Sequence, residues 1–394
     1  MTSRVFGILL FVLLAGACAH VSPEAAAESS SALAATEPAA LRPLVRERRL
    51  VVMLVDNVGS ETTDVLVPHG ILKRSNAVDV LIVATEDGPV ELMPALTIMP
   101  DMTVSEFEEE YPHGADAVAV PAFHSRGTEA TSDFLLKQAE QGAMIVSICE
   151  GSEPVARAGL FDGRSATTHW FARNRMLRRY PDARWVENVR YVVDGQVMSS
   201  SGVSASVPVT LALLEILAGP ESARVTADNL GVVEWSSEHD SSRFDLDVRA
   251  VASALGNVAR FWERERLYID VTDGMDGIAL ALQSDAWSRT YRSRLIARNP
   301  SGAAISTEGV RFLTEKDLSS TSVLTPVAGG PIEVLDTTLG AISERYGETT
   351  ARLVALQLEY AWPADPTRNH RNSANRHAET DTIFDVSSAG SAIP

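Results

Sequence analysis

The sequence predicts an α/β protein: a parallel sheet covered by helices on both faces, followed by a second, shorter α/β unit. Three observations carry this expectation. Near-continuous apolar runs rich in β-branched residues alternate with helical patterns, as strands buried on both faces require. Pieces of the second half repeat the first. The length of 394 residues, with 45% hydrophobic and 22% charged side chains, supplies more core than one ordinary domain needs.

Taken in order, the strand candidates are Arg49–Val55, Val78–Thr85, Asp116–Val120 and Ala143–Ile148, each bounded by charge, Gly or Pro. The helix candidates between them are Thr62–Arg74, Val104–Tyr111, Glu129–Gln141 and Ser152–Ala158, with Ser105 and Glu108 spaced as a capping box. Active sites in such sheets lie at the carboxyl ends of the strands.

Residues 1–18 carry one cation, an apolar run and small residues ending at Cys18, the three-part pattern of a secretory signal. The Leu14–Cys18 segment resembles a bacterial lipoprotein box, with Ala15 where Leu is commonest, so Cys18 is the expected lipidation site. Ordinary cleavage after export and a retained anchor are the alternatives. The expected location is therefore the periplasm or cell envelope, with membrane contact only through a lipid anchor. Residues 19–45 are rich in Ala, Ser, Glu and Pro and read as a low-complexity tether. Residues 46–230 and 231–365 are the two folded units, and 366–394 read as a disordered tail.

The repeat is visible in Arg49-Leu50-Val51-Val52 against Arg266-Leu267-Tyr268-Ile269. It recurs in Gly219-Pro220-Glu221-Ser222-Ala223-Arg224 against Gly347-Glu348-Thr349-Thr350-Ala351-Arg352. Val120-Pro121 has an echo in Thr325-Pro326. The second spacing is much shorter than the first, so the later copy lacks the stretch around Cys149.

Net charge is −18 with a pI near 4.9, the wrong sign for a nucleic-acid footprint. The basic piece Arg173–Arg179 is short and reads as a solvated helix face. Two cysteines, Cys18 and Cys149, exclude a disulfide framework and a cysteine-rich zinc site. No glycine-rich phosphate loop, HExxH or EF-hand pattern occurs, so no cofactor or metal is expected.

Cys149 ends a buried-strand pattern at Cys149-Glu150-Gly151-Ser152, where a helix begins. A nucleophile at a sharp strand-to-helix turn is held out of the sheet beside backbone N–H groups that can receive an oxyanion, here at Gly151 and Ser152. The helix N-terminus would lower the thiol pKa. A buried cysteine that merely ends a core strand is the commoner meaning of this local pattern.

Several ordered motifs go further: Ile148-Cys149-Glu150-Gly151, Ala158-Gly159-Leu160-Phe161-Asp162-Gly163, Ala166-Thr167-Thr168-His169-Trp170, Ser201-Gly202-Val203-Ser204-Ala205 and Asp64-Val65-Leu66-Val67-Pro68. Together they resemble the ThiJ/PfpI superfamily of class I glutamine amidotransferase-like proteins, in the branch shared by isonitrile hydratase and the amidase-like domain of AraC-type regulators. The resemblance covers about residues 47–230 and, in degraded form, 260–365. It implies a flavodoxin-like sandwich with Cys149 as the elbow nucleophile and Asp64 as the acidic group near it. Glu61 is the rival acid, and His124 and His169 are candidate bases. The chain departs from the branch at Glu150, where Thr is usual, and at Val67, where the motif has Gly. A negative charge at Glu150 opposes thiolate formation unless it is protonated or turned away.

The expected function is thus cysteine-dependent hydrolysis or hydration of a small carbon–nitrogen compound. The alternative is a non-enzymatic envelope protein that binds a ligand or senses oxidants through Cys149. The expected partners are a small molecule and either a homodimer mate or, within one chain, the shortened second copy acting as a pseudo-dimer.

Overall fold

In the computed structural model, residues 35–362 are described apart from 242–243 and 245–247. The signal segment, Cys18, the first part of the tether and the tail lie outside the described residues.

The chain opens with β1 (Ala35–Pro38), β2 (Arg49–Val55), a two-residue β3 (Ser60–Glu61), α1 (Thr62–Ser75) and β4 (Val78–Ala84). A hairpin, β5 (Val90–Met93) and β6 (Thr97–Met99), and a short β7 (Met102–Thr103) lead into α2 (Val104–Glu110), β8 (Ala117–Val120), α3 (Glu129–Glu140) and β9 (Met144–Ser147). After a turn at Cys149–Gly151 come α4 (Ser152–Arg157), β10 (Ser165–Ala166), α5 (Trp170–Arg179) and β11 (Arg184–Trp185). A second hairpin, β12 (Tyr191–Gly195) and β13 (Val197–Ser200), precedes α6 (Ser206–Ala218) and α7 (Pro220–Asn229).

The main sheet has the order β1-β12-β13-β9-β8-β2-β4-β7 and is parallel except where β12 meets β13. Side chains of β2 alternate between two cores. Val51, Met53 and Val55 join one cluster, with Val65 and Ile71 of α1 and Val209 and Leu213 of α6. Leu50, Val52 and Leu54 join the other, with Phe107 of α2 and Phe134 and Leu135 of α3. A strand that must be apolar on both faces is how this sequence forces a three-layer α/β sandwich.

The first turn of α2 differs from the spacing-based expectation. Thr103 is the N-cap, accepting from the Glu106 N–H at 3.2 Å, and Glu106 closes the box on the Thr103 N–H at 2.8 Å. Pairing of Met102 and Thr103 with β4 holds Thr103 extended, which fixes the helix start two residues before Ser105 could cap it.

The second unit contains α8 (Val248–Ala259), β14 (Glu265–Asp270), α9 (Gly277–Ser288), β15 (Ser293–Arg298), a hairpin of β16 (Ala303–Ile305) and β17 (Arg311–Leu313), β18 (Val323–Leu324), α10 (Pro331–Tyr346) and α11 (Glu348–Gln357). Its small parallel sheet, β15-β14-β18, places β15 against β14 as β4 lies against β2, and β18 where β8 would stand. Among the described residues nothing follows β18 that corresponds to β9 and its turn.

The two units are not separate bodies in packing terms. α9 lies on α1, and Leu267, Ile278 and Ala281 belong to the same buried cluster as Val51 and Ile71. The helices meet at Gly70, where a Cβ would stand 2.5 Å from Ile278 Cγ1. β17 also pairs antiparallel with β6, setting Phe312 opposite Ile98 in a five-stranded sheet drawn from both units. Among the described residues, no helix is long and apolar enough to cross a membrane.

Candidate active site

The site lies at the carboxyl ends of β2, β8 and β9, where the chain leaves the sheet. Cys149 has φ +57, a left-handed conformation that side chains other than glycine adopt only under constraint. The constraint is local packing. The Gly151 backbone passes so close to β8 that a Cβ would fall 2.0 Å from the Val120 carbonyl oxygen. From below, the Cys149 N–H donates to Ser200 Oγ at 3.4 Å and Thr168 Oγ1 donates to the Cys149 carbonyl at 3.4 Å.

The turn does not leave Gly151 and Ser152 as oxyanion donors. The Gly151 N–H donates to the Ile148 carbonyl at 2.8 Å, and the Ser152 N–H turns back onto the Glu150 carbonyl. The Ser152 hydroxyl pairs with Thr168 Oγ1 at 2.7 Å. A one-residue αL kink followed by a 3₁₀ turn consumes these amides in closing itself. The backbone amide that reaches the sulfur is that of Glu150.

Cys149 is only 7% exposed. Burial pushes its thiol well above the ordinary range, and the carboxyl groups of Asp64, Glu150 and Glu61 push it further, against the Glu150 N–H. The structure therefore reverses the expectation of a depressed pKa at a helix start. α4 is too short and too well paired at its first amides to outweigh removal from water.

Asp64 and Glu61 stand together at the head of α1. Glu61 is its N-cap, accepting from the Asp64 N–H at 2.6 Å and the Thr63 hydroxyl at 2.8 Å, both on Oε2. Its Oε1 accepts from Arg289 Nη2 at 2.6 Å. Asp64 is wholly buried. Its Oδ2 accepts from the Ala122 N–H at 3.2 Å, while Oδ1 has no partner. Burial and then the Glu61 carboxylate raise the Asp64 pKa well above the usual carboxylate range, with the Ala122 N–H and Arg289 opposing. The two acids thus differ in surroundings: Glu61 is ion-paired with Arg289, and burial favours the protonated form of Asp64.

Such a group contributes stability fully below the ordinary Asp value and loses it as pH rises through the raised folded value. Asp64→Asn is therefore expected to stabilise the fold by about 1–3 kcal/mol in alkaline solution, with the gain vanishing at acid pH. Thermal melts of both chains across pH check this, and parallel curves would contradict it.

Glu150 is ion-paired with Arg175, whose Nη2 lies 2.5 Å from Glu150 Oε2 and 3.0 Å from Glu153, while the Glu150 charge still acts on the sulfur. Arg175 belongs to the basic piece that reads as a solvated face in the sequence, and its side chain is largely buried instead. His169 is the N-cap of α5, its Nδ1 accepting from the Phe171 N–H at 3.3 Å, and its buried Nε2 has no partner. Around Gly202, a Cβ would stand 2.9 Å from His169 Cδ2 and 2.5 Å from Glu359 Oε2, a second unpaired buried atom. His124 is exposed on the loop after β8. Its backbone N–H donates to the Gly59 carbonyl at 2.8 Å, and among the described residues its side chain makes no hydrogen bond to the elbow. Among the described residues no cluster of His, Cys, Asp or Glu fits a metal ion.

Sequence reasoning missed Arg289 and Ser200. The Asp285/Arg289 spacing is readable as an i, i+4 pair, with Arg289 Nε 2.8 Å from each Asp285 oxygen. Nothing local connects Arg289 to Glu61, 228 positions away.

Residues 48–216 match the DJ-1/PfpI family. Isonitrile hydratase of Pseudomonas putida is 30% identical over 168 residues, which are 41% of this chain and 69% of that protein. The HTH-type transcriptional regulator CdhR of Pseudomonas aeruginosa is 29% identical over 142 residues, 34% of this chain and 42% of the regulator, so less than half of that relative is spanned. The Parkinson disease protein 7 homolog of Danio rerio is 27% identical over 186 residues, 45% of this chain and 93% of that protein. Among solved structures, oxidized Toxoplasma gondii DJ-1 aligns with 23% identity and a TM-score of 0.42, covering 47% of this chain and all of that one. Through its first folded unit, with Cys149 on the turn after β9 and an acid pair at the head of α1, this chain belongs to the DJ-1/PfpI family.

Proposed function

We propose that the chain is a cysteine-dependent hydratase or hydrolase acting on a small uncharged carbon–nitrogen compound, with isonitriles as the first class to test. The observation that carries this reading is the opposition of a strained, buried Cys149 to a proton-holding Asp64 whose Oδ1 is unpaired. The named activity of the 30% identical relative points to the same class.

For an isonitrile R–NC, Asp64 gives its proton to the terminal carbon as the Cys149 sulfur attacks that carbon, and the thiol proton returns to Asp64. One C–S and one C–H bond form, and an S–H bond breaks. The result is a thioimidate, R–N=CH–S–Cys149. Water then adds to the same carbon, nitrogen takes a proton, and the C–S bond breaks with return of the thiol proton. The product is the N-substituted formamide, and the sum is R–NC plus water. An uncharged substrate suits a site crowded with Asp64, Glu61 and Glu150. A thiol raised by burial weighs against oxidant sensing, which requires a thiolate that peroxide can reach.

We read the chain as exported, on the strength of its first 18 residues. The test of the activity is incubation of the full chain with cyclohexyl isocyanide and a panel of small nitriles and amides, following products by mass spectrometry. N-cyclohexylformamide formed in a Cys149-dependent manner is expected. Absence of Cys149-dependent turnover across the panel overturns the reading.

A further inference from the structure

The two units meet through a reciprocal set of contacts. Arg289, just beyond the end of α9, reaches Glu61, the N-cap of α1, at 2.6 Å. Arg74, near the end of α1, reaches Asp276, the N-cap of α9, at 2.5 Å. Each arginine also holds a second carboxylate: Arg289 grips Asp285 with Nε 2.8 Å from both oxygens, and Arg74 Nε lies 2.8 Å from Glu308. In addition, Ile98 of β6 faces Phe312 of β17, the matching strands of the two hairpins. Residue i touches j′ while j touches i′, the isologous pattern ordinarily made by two copies of a chain. Here it is made within one.

The pseudo-symmetry is broken at one point. The Arg289 end faces the elbow. The Arg74 end faces a unit that, among the described residues, has no β9-type strand and no cysteine. We infer that the second unit is a permanent intrachain partner whose Arg289 is a positioning residue for the elbow, holding Glu61 as counter-anion and lending positive charge to the sulfur as it ionises. The inference rests on Cys149 being the reactive group.

The electrostatics follow from who faces whom. The sulfur meets Asp64, Glu150 and Glu61, and Glu150 is held by Arg175. Arg289 meets Asp285, Glu61 and the sulfur, and stands near Tyr291. Burial works against the Arg289 charge, while Asp285, Glu61 and the ionised thiol keep it cationic. Without Arg289, Glu61 Oε1 loses its charged partner and becomes an uncompensated carboxylate beside Asp64 and Cys149, in surroundings where screening is weak.

The test uses full-length chain and iodoacetamide, reading alkylation at Cys149 by peptide mass spectrometry across pH, with thermal melts alongside. Arg289→Met is expected to move the alkylation midpoint upward and slow labelling about tenfold at pH 8, where one pH unit is one decade of thiolate. Arg289→Lys is expected to recover most of the rate. Arg74→Met removes the matching contact far from sulfur. It is expected to lower the melting temperature comparably while leaving the alkylation profile in place. Should Arg289→Met fail to fold, Glu61→Gln removes the anion with little change of shape and is expected to move the midpoint downward. An unmoved midpoint in folded Arg289→Met, or an equal shift in Arg74→Met, overturns the inference, as does an unmoved or rising midpoint in Glu61→Gln. Because no substrate is involved, a shift in a chain that hydrates nothing would keep this inference while removing the proposed reaction.

Discussion

Cys149→Ala is expected to reduce turnover of any accepted carbon–nitrogen compound by at least about 10³-fold while moving the melting temperature by only about 2–4 °C. The two halves have different causes. Turnover requires a sulfur that can form and release a covalent bond, and no described neighbour offers a substitute: Ser200 Oγ is engaged by the Cys149 amide and Ser152 Oγ by Thr168. Stability loses only one buried sulfur, roughly 1 kcal/mol, and the φ of +57 is as hard for Ala as for Cys. A large loss of stability would mean that Cys149 is a core residue first. Retained turnover would place the chemistry elsewhere.

Gly151→Ala is expected to destabilise the fold by about 3–5 kcal/mol, lowering the melting temperature by about 10 °C, and to stop Cys149 labelling in whatever chain still folds. The backbone of Gly151 is in the ordinary helical region, so conformation is not the obstacle. Space is. The added carbon would meet the Val120 oxygen at 2.0 Å and the Pro121 carbonyl atoms at 2.9 Å. Those atoms are backbone at the end of a central strand, with the Ile148 N–H already bonded to the same Val120 oxygen at 2.9 Å, so they have nowhere to retreat. Gly340 of α10 has no atom near its missing Cβ, and Gly340→Ala should be neutral or mildly stabilising. Comparable melts for the two variants would refute the steric account.

Much of this was legible before any coordinates. The alternation along Arg49–Val55 reports a strand with two apolar faces, and the abrupt stop at Cys149-Glu150-Gly151 reports a turn that glycine must make. The resemblance carried by the motifs from Asp64-Val65 to Ser201-Gly202 implies an acid and a thiol on one edge, where parallel strands bring their carboxyl ends together. The spacing of Ser105 and Glu108 suggests a capping box two residues later than the one at Thr103 and Glu106, since pairing of Thr103 with β4 decides where α2 begins. The elbow spacing offers Gly151 and Ser152 as oxyanion donors, whereas their amides close the turn, because amide partners depend on how tightly the turn winds. Arg175 was hidden in a basic run whose composition suits solvent, and only the approach of α5 to the elbow shows its carboxylate partners.

The sequence by itself determined the alternation of strands and helices and the turn at Cys149, because these follow from short-range periodicity, while the roles of the thiol and of Asp64 and Glu61 come from the family resemblance. It also determined that the later half lacks an elbow. What only the tertiary structure decided is the burial and ion pairing of the site and the contact that the later half makes with it. Proton affinity depends on burial and on charges brought from distant segments, and Arg289 meets Glu61 only because α9 packs across α1 at Gly70. The half without an elbow thereby reaches the acid pair beside Cys149.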